Sequence, residues 1–398
     1  MRETLAWEKE QKAIPSEDNG WLLIRPFFLK GPDELPKNVA IGENLDSLGD
    51  YYVGENRQFE IHAKNDPLFP ERKAAFLSEL PRLKEALAKP NFSPIATQSM
   101  KFESLIPNMI RYRTVSQGLD LLTQEALLQN NPNLALDYVE LGMKWAAKDP
   151  DYILIGLMIK VSLYKIIISP LEEAIVGGQF DTEQLTRLAQ LLESNGLKRQ
   201  SLAPSMKGET LLGERFFKDM STGAGMSLAD LGRSDIFPWI TALLPKSYWE
   251  SERKAYWNLQ MGQMDSWLNL TFEKEVNEAD LASSFNLGSQ VLVPNSARAV
   301  RQFAFTHSKI AALKVCIALE RIKVENGNYP SSLDALVPDY LPELPFDAMD
   351  TKRLDKKSTF KYEKTNRGYL LKSVSSAYQG IRMAETQVYG HDGEFASP

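Results

Sequence analysis

The stretch Tyr152–Ser169, YILIGLMIKVSLYKIIIS, is the longest apolar segment of the chain and decides what kind of fold to expect. Its only charged residues are Lys160 and Lys165. A transmembrane helix needs about 20 mainly apolar residues, and a lysine at mid-membrane costs about 3 kcal/mol. We therefore predict a buried helix within a large helical core, with both lysines reaching out to water.

The segments on both sides of this stretch place their apolar residues at helical spacing. Glu71–Leu87, Phe102–Gln129 and Pro132–Lys148 precede it, and a helix capped by Asp181 follows it. Short turns rich in Asn, Asp, Pro and Gly separate the helices, which favours antiparallel neighbours. No strict repeat of tetratricopeptide length, about 34 residues, is visible. The pattern predicts a mainly α protein, built as an irregular antiparallel helical bundle or α/α stack.

Two stretches after this region are rich in Gly, Ser and Pro. We predict loops over residues 200–245 and 285–294, because these residue types favour turns over helix interiors. Helical spacing returns in Pro245–Val276 and in Arg298–Asn326. The second of these is the long helix that leads into the C-terminal part of the chain.

The sequence pattern changes after Gly327. Ser331–Leu336 predicts one short helix with Ser331 as its N-cap. Apolar and polar residues alternate in Thr359–Glu363 and in Gly368–Val374, which predicts a β-hairpin. We therefore predict a small C-terminal α+β module made of a long helix and a hairpin. The predicted organisation is a mixed N-terminal segment packing on the helical domain (1–69), the helical domain (70–296), the α+β module (297–385) and a tail (386–398).

The C-terminal segments resemble the globular head of the type II secretion major pseudopilin. In that family a long helix runs into a G-x-Y-P turn, a short helix, a proline-rich step and a small antiparallel sheet. Ala312–Val374 follows the same order. The matching segments are G-N-Y-P (327–330), S-L-D-A-L (332–336), Y-L-P-E-L-P-F-D (340–347) and the hairpin (360–374).

The chain departs from the pseudopilin pattern in two places. Met1–Pro15 is charged and has no apolar segment, so we predict neither a signal peptide nor a pilus polymerisation helix there. Ser375–Gly380 does not match the family's calcium-binding loop. The whole chain is also similar in architecture to uncharacterised bacterial proteins in which a helical domain precedes such a module. That similarity implies a periplasmic or envelope-associated protein, with an anchor upstream of Met1 and a cytoplasmic location left open, and it implies no reaction.

Composition excludes several classes of function. Acidic residues outnumber basic ones by 52 to 46, which argues against a nucleic-acid binder with a basic face. One cysteine and three histidines exclude a disulfide framework and a multi-cysteine metal centre. Cys316 and His307 lie too far apart along one predicted helix to form a nucleophile pair, so we predict a buried, unreactive Cys316. Neighbouring acids such as Asp347 and Asp350 are most simply solvated or capping groups. We predict no catalytic residues, no metal and no cofactor.

The most unusual feature is a concentration of aromatic residues between 237 and 272, which includes four of the seven tryptophans. An aromatic groove could bind a peptide, a glycan or a lipid chain. The alternative is aromatic packing between helices, which we favour. The candidate ligand-binding residues are Trp239, Trp249, Tyr256, Trp257 and Trp267.

The sequence favours a non-enzymatic, envelope-associated scaffold or binding protein that displays a pseudopilin-like head to a protein partner. One alternative is a hydrolase with a carboxylate-based site near the 205–270 loops. Another is an accessory component that docks to a type II secretion-like system through the edge of the C-terminal hairpin. An exposed edge strand would support the docking hypothesis, whereas convergent acids of perturbed pKa would support the hydrolase.

Overall fold

The structure is a computed structural model. It describes residues 9–10, 12–28, 44–45, 47–48, 66–93, 111–148, 154–222, 244–268, 287–349, 359–366, 368–373 and 389–390. The described chain is mainly helical and carries a small antiparallel sheet, as the sequence predicts. The α-helices of the described residues are α1 (Trp21–Phe28), α2 (Phe69–Ala88), α3 (Arg111–Leu128), α4 (Pro132–Lys148), α5 (Leu154–Val176), α6 (Thr182–Asn195), α7 (Leu202–Thr222), α8 (Lys246–Leu268) and α9 (Leu287–Asn326).

The chain divides into two compact units, each drawn from several stretches of sequence. Unit 1 contains residues 1–7, 151–158 and 199–304, and unit 2 contains the remaining residues. Helices α5 and α9 contribute residues to both units. The domain boundaries predicted from composition stay a prediction.

Helices α3 and α4 form an antiparallel hairpin in unit 2. The turn between them contains Asn130 in the left-handed conformation, with a φ of 53°. The indole N–H of Trp145, near the end of α4, donates to the backbone carbonyl of Tyr112 at the start of α3, at 3.0 Å. Gly118 lets α3 approach α2, because a Cβ there would lie 2.4 Å from the Phe76 ring. The short, Asn-rich turn thus produces the antiparallel pairing that the sequence predicts.

An aromatic cluster joins α1 to this hairpin. The Phe28 and Tyr112 rings lie 4.6 Å apart between centroids, and the Tyr112 and Trp145 rings lie 4.8 Å apart. Trp21 stacks on Tyr112 at 6.1 Å, and Phe92 meets Trp145 edge-on at 6.0 Å. The described part of the N-terminal segment is therefore held by ring contacts with α3 and α4.

The long apolar stretch within Tyr152–Ser169 forms most of α5. The helix continues to Val176 through Pro170, beyond the predicted end, and buries residues on both sides of that proline. The prediction that both lysines reach water is wrong for Lys160, which is 6% exposed, while Lys165 lies over the Phe305 ring at 5.0 Å. Among the described residues, α5 is the helix long and apolar enough to cross a membrane. In the described protein, 67% of its most apolar window is buried, as in the core helix of a folded domain.

One predicted helix cap is confirmed, and two predicted loops are wrong. Asp181 caps α6 as predicted, and its side chain and that of Gln184 form a reciprocal capping box. The predicted loop over 200–245 is wrong for α7, where Leu202, Met206 and Phe217 are buried at helical spacing. The predicted loop over 285–294 is likewise wrong, because α9 begins at Leu287. Isolated Gly, Ser and Pro residues did not outweigh the burial of an apolar helix face in α7.

The C-terminal sheet follows the predicted hairpin. Strand β1 (Lys361–Lys364) pairs antiparallel with β2 (Tyr369–Lys372), and Tyr362 lies opposite Leu371. The two-residue strand β3 (Tyr389–Gly390) adds to the other side of β2, inside the predicted tail. A 3₁₀ helix over Leu333–Leu336 replaces the predicted short helix, and its N-cap is Ser332 rather than Ser331.

Candidate functional site

Helices α7 and α8 pack together in unit 1 around Tyr256. The Tyr256 and Phe217 rings lie 5.5 Å apart between centroids. The Tyr256 hydroxyl donates to the backbone carbonyl of Glu209 at 3.2 Å. Gly213 makes this approach possible, because a Cβ there would lie 2.4 Å from the Tyr256 ring. Tyr256 is therefore a structural anchor between the two helices.

The candidate aromatic residues of α8 differ in their exposure to solvent. Trp249 and Tyr256 lie seven residues apart and are 1% and 0% exposed. Trp257 is 38% exposed, and Met261, one turn further along, is 45% exposed. Trp239 and the side chain of Trp267 lie outside the described residues. The structure brings Trp249 and Tyr256 to the buried face and separates them from Trp257, so of the three candidates whose side chains the structure describes, Trp257 presents its ring to solvent. A ligand-binding role for the five residues stays a prediction.

Two carboxyl groups accompany this helix pair. A carboxyl oxygen of Glu209 accepts the N–H of Leu154, the first residue of α5, at 3.2 Å. Burial of this carboxyl group raises its pKa, and the bond from Leu154 opposes the shift. Glu252 is 1% exposed and accepts a hydrogen bond from the Tyr248 hydroxyl at 2.7 Å. A carboxyl with a raised pKa could act as a proton donor, which is the chemistry that the hydrolase alternative requires.

In unit 2, the turn after α9 is tied to the helix by a buried acid. The Tyr329 hydroxyl lies 2.9 Å and 3.1 Å from the two carboxyl oxygens of Glu320, one of which accepts its hydrogen. Glu320 is 3% exposed, and the ammonium of Lys323 lies 4.0 Å from the carboxyl group. Tyr329 belongs to the G-N-Y-P segment, so this bond explains what the tyrosine of that turn does here.

A second buried acid, Asp347, joins three segments of the C-terminal module. Its carboxyl group accepts hydrogen bonds from the Ser308 hydroxyl of α9 at 2.8 Å and from the backbone N–H of Met349 at 3.0 Å. The hydroxyl of Ser373, just after β2, donates to the other carboxyl oxygen. Both oxygens thus have protein partners. The prediction that Asp347 is either a solvated or a capping acid is therefore wrong for the solvated alternative. Asp350 lies outside the described residues.

The structure gives Cys316 the predicted buried position. Its side chain is 0% exposed, and burial raises the pKa of the thiol to about 12. The His307 ring lies instead beside Phe346, with 5.4 Å between centroids. A thiol that keeps its proton is a poor nucleophile.

Sequence reasoning missed a polar line inside α3. Tyr112, Ser116 and Asp120 follow one another at intervals of four residues, and all are at most 3% exposed. Within the described part of the chain, the Ser116 hydroxyl and one carboxyl oxygen of Asp120 have no hydrogen-bond partner. The other Asp120 oxygen accepts from the Gln124 side chain at 2.8 Å. The signal was present in the segment Leu119-Asp120-Leu121-Leu122, where an acid interrupts an apolar run.

Metal ligation finds no support in the arrangement of side chains. No group of three or more His, Cys, Asp or Glu residues converges among the described residues.

In comparisons with known proteins, no family model, curated protein or solved structure matches the chain.

Proposed function

We propose that the chain is a non-enzymatic, envelope-associated scaffold or binding protein, in which a helical framework displays a pseudopilin-like module to a protein partner. The observation that carries this proposal is the way the module is fastened to the end of α9. The order of its segments (long helix, G-N-Y-P turn, short helix, proline-rich step and hairpin) resembles that of the pseudopilin head, and this resemblance supports the proposal.

The fastening joins the hairpin directly to the turn after α9. The Tyr362 hydroxyl of β1 donates to the Pro330 carbonyl at 2.7 Å, and the Lys364 ammonium donates to the Tyr329 carbonyl at 2.7 Å. The bonds of Asp347 hold the end of β2 and the preceding loop on the same helix. A module fixed at several points loses little conformational entropy when it binds, which favours recognition by a preformed surface.

Strand β1 is the part of this module best placed to bind. It pairs with β2 on one side and stands at the edge of the sheet within the described chain. Lys361, Glu363 and Lys364 are exposed. An edge strand can pair with an extended segment of a partner, and charged side chains on it select against indiscriminate pairing. This geometry supports a docking role for β1, as the secretion-system alternative requires.

Site-specific photo-crosslinking in the full-length chain tests the proposal. A photoreactive amino acid would replace Glu363 on β1, Asn258 beside Trp257 on α8, or Glu183 on α6. All three residues are exposed, and Glu183 serves as the matched surface control. The labelled proteins would be irradiated in an envelope extract of the source cells and analysed for discrete adducts.

A discrete adduct from position 363, without the same adduct from 258 or 183, is the expected result. An adduct only from position 258 would move the binding function to the exposed face of α8 and reject the module as the displayed surface. Identical adducts from all three positions, or none, would count against a specific partner at β1.

A carboxylate-based hydrolase is the second candidate, favoured by the raised pKa of Glu209. Ester, glycoside and peptide substrates would be screened with the wild type and with Glu209→Gln, which keeps the shape of the side chain but cannot donate the acid proton. Turnover by the wild type that falls at least about a hundredfold in the variant would support general acid catalysis by Glu209. Equal turnover would reject it.

A further inference from the structure

We propose that Asp120 makes the α3–α4 hairpin a pH-sensitive element, whose core packing holds while the carboxyl group is protonated and opens to water when it ionises. Asp120 is 3% exposed in the middle of α3, and Ser116, one turn earlier, is 0% exposed. Both side chains are therefore held inside the packed part of unit 2.

The hydrogen bonds of Asp120 suit the neutral acid better than the carboxylate. One oxygen accepts from the Gln124 side chain, and the other has no partner in the described part of the chain. An ionised carboxylate would present two acceptor oxygens and find one donor, whereas a buried charge needs full pairing. The contrast with Asp347, whose two oxygens accept three hydrogen bonds, shows what a well-solvated buried carboxyl looks like in this protein.

Among the described residues, no charged group of the surrounding helices acts on Asp120. Only burial and the bond to Gln124 act on Asp120: burial raises its pKa to about 8, and the Gln124 bond opposes that shift. The further ionisable groups of these helices are on α1 to α4, and none of them acts on Asp120. They are Arg25 on α1, Glu71, Arg72, Lys84 and Glu85 on α2, Tyr112 and Arg113 on α3, and Tyr138 on α4. Other charged groups of these helices form ion pairs with one another. These are Lys73 of α2 with Glu125 of α3, Arg82 with Glu79 within α2, Lys144 with Glu140 within α4, and Arg187 of α6 with Asp137 and Glu140 of α4. Two further cations donate to backbone carbonyls, Lys148 of α4 to that of Lys89 and Arg111 of α3 to that of Phe27.

The sign of the effect follows from proton linkage. In the unfolded chain Asp120 ionises at its ordinary value near 4, and in the folded chain it holds its proton until about pH 8. Between these limits the folded state binds one more proton than the unfolded state. The unfolding equilibrium constant therefore rises about tenfold for each unit of pH, and the contribution levels off above about pH 8.

The test compares the pH dependence of unfolding in full-length variants. Asp120→Asn keeps the shape and cannot ionise, and Asp120→Leu removes the polar group altogether. Asp137→Asn is the matched control, because it makes the same chemical change on the outer face of α4. Urea unfolding would be followed at half-unit steps from pH 5 to pH 8.5. Hydrogen exchange of peptides from residues 111–148 would be compared between variant and wild type at each pH, so that the intrinsic exchange rate cancels.

The expected result is a ratio of unfolding constants, wild type to Asp120→Asn, that rises about tenfold per pH unit between pH 5 and pH 8. The ratio of wild type to Asp120→Leu should rise with the same slope, and the ratio of wild type to Asp137→Asn should stay constant over this range. Faster exchange in residues 111–148 of the wild type above pH 8 should be absent from both Asp120 variants. A constant ratio for Asp120→Asn, or a ratio for Asp137→Asn that rises just as steeply, would overturn the proposal.

Discussion

The two buried acids of unit 2, Asp347 in the C-terminal module and Asp120 in α3, are equally hidden from solvent but differ in their partners. Asp347 accepts bonds from two serine hydroxyls and one backbone N–H. Asp120 accepts one bond, from Gln124, and leaves an oxygen unpaired among the described residues. The difference teaches that burial alone does not define the role of an acid here. Three donors make Asp347 a joint between segments, whereas a single donor and one unpaired oxygen make Asp120 sensitive to protonation.

Removing the Asp347 carboxyl group should produce the largest effect. Asp347→Ala leaves the Ser308 and Ser373 hydroxyls and the Met349 N–H without their acceptor, and each buried unpaired donor costs about 1–3 kcal/mol. We expect a loss of roughly 3–5 kcal/mol in the free energy of unfolding, measured by urea denaturation. Asp339→Ala, at an exposed acid of the same module, is the control and should change stability by less than about 0.5 kcal/mol. Equal losses in the two variants would remove the basis of the comparison.

The Tyr329 hydroxyl offers an intermediate test. Tyr329→Phe deletes only the oxygen that donates to buried Glu320, so we expect a loss of about 1–3 kcal/mol. Tyr340→Phe is a matched change, since the Tyr340 hydroxyl donates to Glu325 at an exposed position. Surface bonds contribute little, so it should cost less than about 0.5 kcal/mol. If thermal or urea unfolding ranks the two variants in the opposite order, the buried bond is not what secures the G-N-Y-P turn.

A pair of serines gives the smallest and sharpest test. Ser308 and Ser116 both lie buried in helices, but Ser308 donates to Asp347, whereas the Ser116 hydroxyl has no partner within the described chain. Ser308→Ala should cost about 1–2 kcal/mol, because a buried acceptor loses its donor. Ser116→Ala should be neutral or stabilising by up to about 1 kcal/mol, because it removes an unpaired polar group and favours helix. Equal costs in urea denaturation would mean that the Ser116 hydroxyl has a partner in solution.

The local elements of the fold were largely predictable. Helix α4 has the predicted bounds, and the capping box of Asp181 lies where the residue types place it. The predicted hairpin forms as well, with Lys361–Lys364 paired to Tyr369–Lys372. These features depend on residues close together in sequence. The errors at α7 and at the start of α9 came from weighting Gly, Ser and Pro above the apolar spacing of the same segments.

The site residues were less predictable because their environments come from distant segments. Trp249 and Trp257 look alike in an aromatic-rich sequence, yet one is buried and the other is exposed. Asp120 escaped notice because helical spacing marks apolar positions and does not score an acid on the inner face. Lys160 was expected in water for the same reason, although the surrounding chain buries it.

The sequence by itself determined the helical class, the helix-ending turns, the cap of α6 and the C-terminal hairpin, because these follow from periodicity and backbone preference within a few residues. Only the tertiary structure decided which polar groups inside the helices find partners. Ser308 meets Asp347 across 39 residues of chain, whereas Ser116 meets no acceptor among the described residues. Desolvation and hydrogen bonding depend on what packs against a side chain, and that information is absent from its immediate neighbours in sequence.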